Sequence, residues 1–199
     1  MTNLMLTRND RRGAIIGMLL GDGYLWKHPA SSKYCLSIAH SAKQLELLAF
    51  KRDILQTMFH YNINVWRETA RCKGKEYPAA RIRTRGHRIF NVLRSHVYPY
   101  GKRTVTQSML KWLNPLGMAI WYMDDGNHHE VLRDNGTIRQ RNIHLSVCAY
   151  SQEEVDLIRD YFLEEWGIRW NLCTFARLTR CLEQEQRKGL SFVTSSIPM

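Results

Sequence analysis

Two strongly apolar segments lie about a hundred residues apart in the chain, and each ends in Asp-Gly. Residues 12–21 (RGAIIGMLLG) are apolar nearly all round, which favours a buried helix over a surface one. Residues 116–124 repeat this pattern after Asn114-Pro115, and a proline suits the first turn of a helix. The chain therefore predicts two buried helices whose C-terminal ends carry the same dipeptide.

Glycines mark one face of the first of these helices. Gly13 and Gly17 are four positions apart, so they would share a face. Because glycine costs helix stability, two on one face indicate that another backbone approaches closely there.

Alternating and helical patterns follow each apolar helix in a similar order. After the first we predict strands at 24–29 and 33–40, a helix at 41–61 opened by Ser41, strands at 62–71 and 77–84, and a short helix at 86–96. After the second we predict strands at 127–133 and 137–147, a helix from Ser151 to Trp166 with a Ser151/Glu154 capping box, and strands at 168–178 and 190–194.

This order is an internal duplication of structure without obvious sequence identity. It predicts an α+β molecule with pseudo-two-fold symmetry, in which the two apolar helices pair at the centre and each half supplies one antiparallel sheet. The predicted halves are residues 1–100 and 115–199, joined by a linker at 101–114.

Composition points to a polyanionic partner. The net charge is +11, and residues 67–88 concentrate eight basic side chains against two acidic ones. Arg81, Arg83 and Arg85 alternate along a predicted strand, so we expect all three guanidinium groups on one face. No apolar run is long enough to span a bilayer, and the N-terminus does not resemble a secretory signal, so we expect no membrane partner.

The cysteines predict a reducing compartment and no zinc site. There are five, Cys35, Cys72, Cys148, Cys173 and Cys181, which are scattered and form no C-x-x-C pair. We expect free thiols inside a cell, and the sequence leaves open whether the compartment is a bacterial or phage cytoplasm or an organelle.

The duplication changes the meaning of Asp22 and Asp125. Either one alone is an ordinary helix C-cap, but paired helices would bring both carboxylates together, where they repel unless a cation lies between them. Mg²⁺, Mn²⁺ or another hard divalent ion fits carboxylates, and the helix-end carbonyls of Gly21 and Asp124 would favour it further. Beside a basic surface, this pattern predicts metal-assisted phosphodiester hydrolysis.

The two apolar segments resemble a known motif. IIGMLLGDG (15–23) and MAIWYMDDG (118–126) are similar to the two copies of the motif in monomeric LAGLIDADG homing endonucleases, and residues 102–127 resemble the same region of intron-encoded enzymes in that family. The resemblance implies a saddle-shaped αββαββα fold, divalent metals at Asp22 and Asp125, and carbonyl donors at Gly21 and Asp124. It also implies that Lys102 is a basic residue over one active site.

The family further implies a long double-stranded DNA target, read in the major groove by the two sheets and cut with a stagger. Lys73 and Lys75 are expected mainly at phosphates, which position the protein without specifying sequence. Arginine and histidine at alternate strand positions are candidates for base contacts. These are Arg67, Arg71, Arg81, Arg83, Arg85, Arg139, Arg141, His144 and Arg177.

One departure and two alternatives stand beside this interpretation. Enzymes of the family continue past a segment like SSIPM (195–199) to a second active-site lysine, for which Arg187 or Lys188 would have to substitute. A second site weakened by this difference would nick the DNA instead of cutting both strands. The alternatives are an RNA-binding intron maturase and a DNA-binding protein that does not cut. Both motifs lie in one chain, which predicts a monomer, and the absence of intein splicing blocks predicts a free-standing enzyme.

Overall fold

The computed structural model describes residues 5–175 and 179–185. Within these residues the order of helices and strands follows the prediction, except for a short helix in the predicted linker and an unpredicted strand at Thr179–Glu185. The helices are α1 Arg8–Leu20, α2 Leu45–Phe59, α3 Arg88–Val97, α4 Gln107–Leu110, α5 Pro115–Asp125 and α6 Gln152–Trp166, with a 3-10 turn at Ala42–Gln44. The strands are β1 Gly23–Trp26, β2 Cys35–Ser41, β3 Val65–Cys72, β4 Lys75–Arg83, β5 Gly126–Leu132, β6 Ile138–Ser146, β7 Asn171–Phe175 and β8 Thr179–Glu185.

The strands form two antiparallel sheets with the same topology. The first sheet has the order β1-β2-β4-β3 and the second the order β5-β6-β8-β7, so each strand of one half has a counterpart in the other. The duplicated α+β fold with one antiparallel sheet per half is therefore confirmed.

Helices α1 and α5 pack against each other through backbone. A methyl group added at Gly17 would lie 2.0 Å from the carbonyl oxygen of Gly117, and one at Gly117 would lie 2.2 Å from that of Gly13. No side chain fits at these positions, which confirms the close backbone approach predicted from the glycine spacing.

The core runs through both halves and includes the predicted linker. Val105, Met109, Leu110 and Leu113 belong to the same buried cluster as the central helices, so 101–114 contributes to packing as well as connecting the halves. The proposed boundaries of the halves remain a prediction. Among the described residues, no helix has the length and apolar character needed to cross a bilayer.

Three predicted elements differ from the structure. Helix α1 begins at Arg8, earlier than predicted, because Thr7 and Asp10 form a capping box. Ser41 caps the 3-10 turn before α2 by accepting from the amide of Lys43. Strand β8 was missed, because polar residues flank its buried Cys181 and Leu182 and hide the alternation. The predicted strand at 190–194 and residues 176–178 lie outside the described residues.

Candidate active site

The C-terminal ends of α1 and α5 meet at two acidic residues from different halves. The amide of Asp22 donates to Asp124 Oδ2 at 3.0 Å. The Asp124 side chain is fully buried and lies against Gly21, where an added methyl group would be 2.1 Å from Asp124 Oδ2. Gly21 therefore leaves the space that the Asp124 carboxylate occupies, and the two motifs interlock at their ends.

Asp22 is held as a carboxylate. Its side chain is 46% exposed and lies 3.2 Å from Nδ1 of the buried His40. Partial burial alone would raise the pKa of Asp22, but the hydrogen bond from His40 and the positive charges of Lys51 and Arg103 outweigh that effect, so the pKa is lowered. Asp22 is thus ionised in the absence of any metal.

The negative charge of Asp125 is stabilised less than that of Asp22. It is the last residue of α5, and Trp121 Nε1 donates to its Oδ2 at 3.1 Å. Burial, and next the negative charge of Asp22, raise the pKa of Asp125 to about 6 despite that hydrogen bond. The negative charge of Asp22 therefore disfavours the ionised form of Asp125.

A buried lysine lies behind these carboxylates. Lys51 of α2 has no exposed side-chain surface; its ammonium contacts Asp124 Oδ1 and lies 2.9 Å from His40 Nε2. Burial lowers the pKa of Lys51, and the Asp124 charge opposes that shift. Because a buried charge is costly unless paired, this contact neutralises the Asp124 carboxylate internally.

Arg103 covers the carbonyl end of α1. Its Nη1 donates to the Gly21 carbonyl at 2.6 Å and the Leu19 carbonyl at 3.2 Å. The adjacent Leu20 carbonyl accepts from Tyr150 Oη at 2.6 Å. Carbonyls at a helix C-terminus lack partners within the helix and carry partial negative charge, which these donors satisfy.

Lys102 is placed differently from its neighbour. Its side chain is exposed and its charge lies near Glu153, whereas Arg103 reaches the active-site end of α1. The resemblance implies that Lys102 is the basic residue at the active site. In the structure, Arg103 is the basic residue that contacts the C-terminal end of α1.

The carboxylates at the C-terminal ends of α1 and α5 are candidate ligands for a hard divalent cation. Ligand atoms of Asp22, His40 and Asp124 lie within 4.8 Å of one another. Asp124, however, uses Oδ1 for Lys51 and Oδ2 for the Asp22 amide, so its carboxylate is already engaged. Gly21 retains one carbonyl lone pair beside its bond to Arg103. The two motif aspartates are the carboxylates whose mutual repulsion a cation would relieve.

The outer face of the first sheet, which faces away from the helices, carries Arg83 and Arg81 in different settings. The Arg83 guanidinium lies 4.1 Å from the Trp26 ring and 5.7 Å from the Trp66 ring, which restricts its orientation. Arg81 pairs with Glu68 at 2.6 Å and bonds Tyr24. The hydrogen bond from Arg81 lowers the pKa of Glu68, which favours the ionised carboxylate. The Arg81 guanidinium is therefore engaged within the protein by Glu68.

The other residues of the first sheet that were predicted to contact DNA do not share one face. Strand alternation puts Lys75 on the outer face with Arg81 and Arg83, but puts Arg67 and Arg71 on the opposite face. Lys73 lies in the β3–β4 turn with φ of 49°. Arg85 follows the end of β4 and stacks on Tyr61 at 4.7 Å, so the predicted row of three arginines reduces to two.

The second sheet is less basic on its outer face. His144 lies there with Asn142, and both contact Glu183. Arg141 lies on the other face, where it pairs with Glu130 at 3.0 Å, and Arg139 sits at a register shift between β5 and β6. Arg177 is outside the described residues.

Three residues at the site were missed in the sequence, and two of them had a signal. His40 continues the buried face of Leu36 and Ile38 along β2, and Lys51 interrupts the apolar face of α2. A polar residue at a buried position is more informative than an apolar one. Arg103 had no signal beyond its proximity to Lys102.

Comparisons with known proteins agree with this geometry. The model of the LAGLIDADG DNA endonuclease family matches residues 12–187. Protein RecA of Mycobacterium gastri is 32% identical over 167 residues, covering 77% of this chain and 36% of that protein. The chain thus spans about a third of the length of such curated relatives. The cytochrome b mRNA maturase bI2 of Debaryomyces hansenii is 27% identical over 112 residues, covering 55% of this chain and 43% of that protein.

Solved structures show the same fold. The homing endonuclease I-WcaI, bound to its DNA recognition sequence, superposes with a TM-score of 0.69 at 16% identity, covering 88% of this chain and 75% of that one. At this identity the likeness establishes the architecture alone, and the chemistry rests on the residues described above.

Proposed function

Since this chain belongs to the LAGLIDADG DNA endonuclease family, we propose that it is a site-specific, metal-dependent endonuclease that makes a staggered double-strand cut at a long DNA target. The observation that carries this proposal is the pairing of α1 and α5, which places Asp22 and Asp125 close enough for the charge of one to raise the pKa of the other.

Asp22 and Asp125 would hold the cation, for which we propose Mg²⁺, with Mn²⁺ able to replace it. When bound, such an ion supplies charge stabilisation at the phosphate and lowers the pKa of bound water. The protein's own groups orient the site: His40 fixes Asp22, Trp121 fixes Asp125, and Arg103 adds a guanidinium at Gly21. We propose that Lys102 contributes charge at the rim rather than within this cluster.

Double-stranded DNA would lie along the outer faces of the two sheets. Arg83 and Lys75 on the first face, and His144 on the second, support groove and phosphate contacts, and a net charge of +11 supports association. Both motifs lie in one chain, so we propose a monomer. We further propose that the biological role is intron mobility in a reducing compartment, which the free thiols of Cys35, Cys173 and Cys181 support.

The test is cleavage of a randomised duplex DNA library, or of candidate intron insertion sites, by the full chain with Mg²⁺. Sequencing the cut ends identifies the target, and the same reaction with EDTA is the control. We expect a discrete target cut on both strands with a fixed stagger, and no cutting in EDTA. Persistent nicking of one strand would correct the proposal to a single competent site. Binding without cutting at any divalent ion would overturn it.

A maturase function is the second candidate, favoured by the similarity to the maturase of Debaryomyces hansenii. It makes no use of the two carboxylates. Filter binding to a candidate host-intron RNA, followed by a splicing assay, distinguishes it. Splicing assistance that survives Asp22→Asn and Asp125→Asn, without DNA cleavage by wild type, would replace the endonuclease proposal.

Replacing Arg83 by alanine should weaken target binding about ten- to a hundredfold, because a held guanidinium can make a bidentate base contact worth ~1–3 kcal/mol. Fluorescence anisotropy on the selected target and on single-base variants measures this effect. Arg88→Ala is the control, since Arg88 belongs to α3 and borders a groove with Ile15 of α1 and Leu93 of α3. Loss of equal size on every DNA sequence would instead assign Arg83 to a phosphate.

A further inference from the structure

The buried groups behind Asp22 form a connected chain across three elements. Lys51 in α2 contacts Asp124 at the end of α5 and lies 2.9 Å from His40 Nε2. The other ring nitrogen, His40 Nδ1, lies 3.2 Å from Asp22 Oδ2. Lys51, His40 and Asp124 have side-chain exposures of 0%, 1% and 0%, so water does not compete for these contacts.

The donors and acceptors that Lys51 and His40 offer determine which group donates in each of these hydrogen bonds. A lysine ammonium has hydrogen-bond donors only, so His40 Nε2 must accept from Lys51. A neutral imidazole that accepts at one nitrogen carries its proton on the other. His40 Nδ1–H is then the donor to Asp22 Oδ2, and the tautomer is set by Lys51 rather than by the histidine itself.

Asp124 connects this series of hydrogen bonds to the first motif. Its Oδ1 anchors the Lys51 ammonium and its Oδ2 accepts from the Asp22 amide at 3.0 Å. The same carboxylate therefore orients Asp22 from two sides, through the backbone directly and through the side chain by way of Lys51 and His40. The Asp125 carboxylate instead accepts a hydrogen bond from Trp121 within its own helix.

We propose that Lys51 and His40 are positioning residues, in which the Lys51 ammonium fixes the His40 tautomer so that the ring orients the Asp22 carboxylate for its metal. The inference rests on the proposed function in taking Asp22 as a metal ligand. Partners behind a metal ligand commonly change metal affinity or activity about 10- to 100-fold when removed. The arrangement also gives Asp22 and Asp125 different hydrogen-bond partners, although the two residues occupy equivalent motif positions.

The first test reads the wild-type protein directly and needs no DNA. In ¹⁵N NMR of the histidine-labelled full chain, we expect the His40 ring proton on Nδ1, with Nε2 accepting the hydrogen bond from Lys51. The His40→Leu spectrum assigns the resonance among the eight histidines. A proton on Nε2, or on both nitrogens, would overturn the proposal, because Lys51 could not then donate to that ring.

The second test measures Mn²⁺ affinity by the electron paramagnetic resonance signal of the free ion. We expect Lys51→Met and His40→Leu each to weaken binding about tenfold. The double variant should be no weaker than His40→Leu, because Lys51 acts through that ring. Lys111→Met, an exposed lysine beyond α4, is the control and should match wild type. His40→Leu leaves the Lys51–Asp124 pair intact, so it remains informative if Lys51→Met does not fold.

Other outcomes separate this proposal from the endonuclease activity. Additive losses, or unchanged affinity in either single variant, would overturn the positioning role. Tighter Mn²⁺ binding in Lys51→Met would mean that Lys51 blocks a ligand, Asp124, and would also overturn it. Correct tautomer and affinity changes in a chain that never cuts DNA would support the positioning role and remove the proposed function.

Discussion

Asp22→Asn and Asp125→Asn proteins should bind the selected DNA target at least as tightly as wild type and cut it about a thousandfold more slowly or worse. Asparagine keeps the shape of the side chain but removes the charge that a divalent cation requires. Losing about 4 kcal/mol of charge stabilisation in the transition state corresponds to roughly three orders of magnitude in rate. Binding is preserved because each change removes a negative charge beside the DNA phosphates.

Strand-resolved cleavage on end-labelled duplex, together with anisotropy for binding, measures both quantities. Asp53→Asn is the matched control: this carboxylate lies on the surface of α2, pairs with Arg52, and should leave cleavage unchanged. Cleavage within tenfold of wild type in either motif variant would remove that aspartate from the metal site. Loss of binding in parallel with cleavage would show that the carboxylate supports the fold rather than the chemistry.

The two motifs and the duplication were predictable because their signals are local and repeated. An all-round apolar helix ending in Asp-Gly, seen twice, determines which elements pair and which carboxylates meet. The glycine spacing in α1 also predicted the backbone contact, because only a missing side chain allows Gly17 to approach Gly117 so closely.

The buried polar groups were harder to predict because their meaning depends on contacts between halves. Lys51 is a polar residue on an apolar face in the sequence, and it becomes interpretable only when Asp124, distant in the chain, is seen beside it. The same holds for Arg103, whose partner is a carbonyl of α1 and therefore leaves no trace in residue identity.

The basic strand shows a second limit of the sequence pattern. Alternation predicted which face Arg81 and Arg83 share, and the structure agrees. It could not show that Glu68 engages Arg81 while tryptophan rings hold Arg83, because those partners lie on neighbouring strands. Two arginines with equal patterns therefore have different capacities to contact DNA.

Gly17→Ala should be among the most destabilising single substitutions in the chain, lowering the free energy of unfolding by about 3 kcal/mol, the upper part of the range for overpacking. In an ordinary helix this change would stabilise by up to ~1 kcal/mol, because alanine is the better helix former. Here the added methyl group would lie 2.0 Å from the Gly117 carbonyl oxygen, so the two backbones must separate. Gly117 has no side chain that could be trimmed to compensate.

Urea denaturation followed by circular dichroism measures this loss, with the exposed Ala119 on α5 as the opposite control. Ala119→Gly removes a methyl group and should cost about 1 kcal/mol through helix propensity alone. Adding a methyl group at position 17 and removing one at position 119 should thus both destabilise the protein. Helix propensity explains the loss at position 119, but it predicts the opposite effect at position 17, where only close helix packing explains a loss. Because α1 and α5 carry Asp22 and Asp125, their separation should also reduce Mn²⁺ affinity in any Gly17→Ala protein that folds. A Gly17→Ala chain as stable as wild type would mean that the helices do not meet through their backbones.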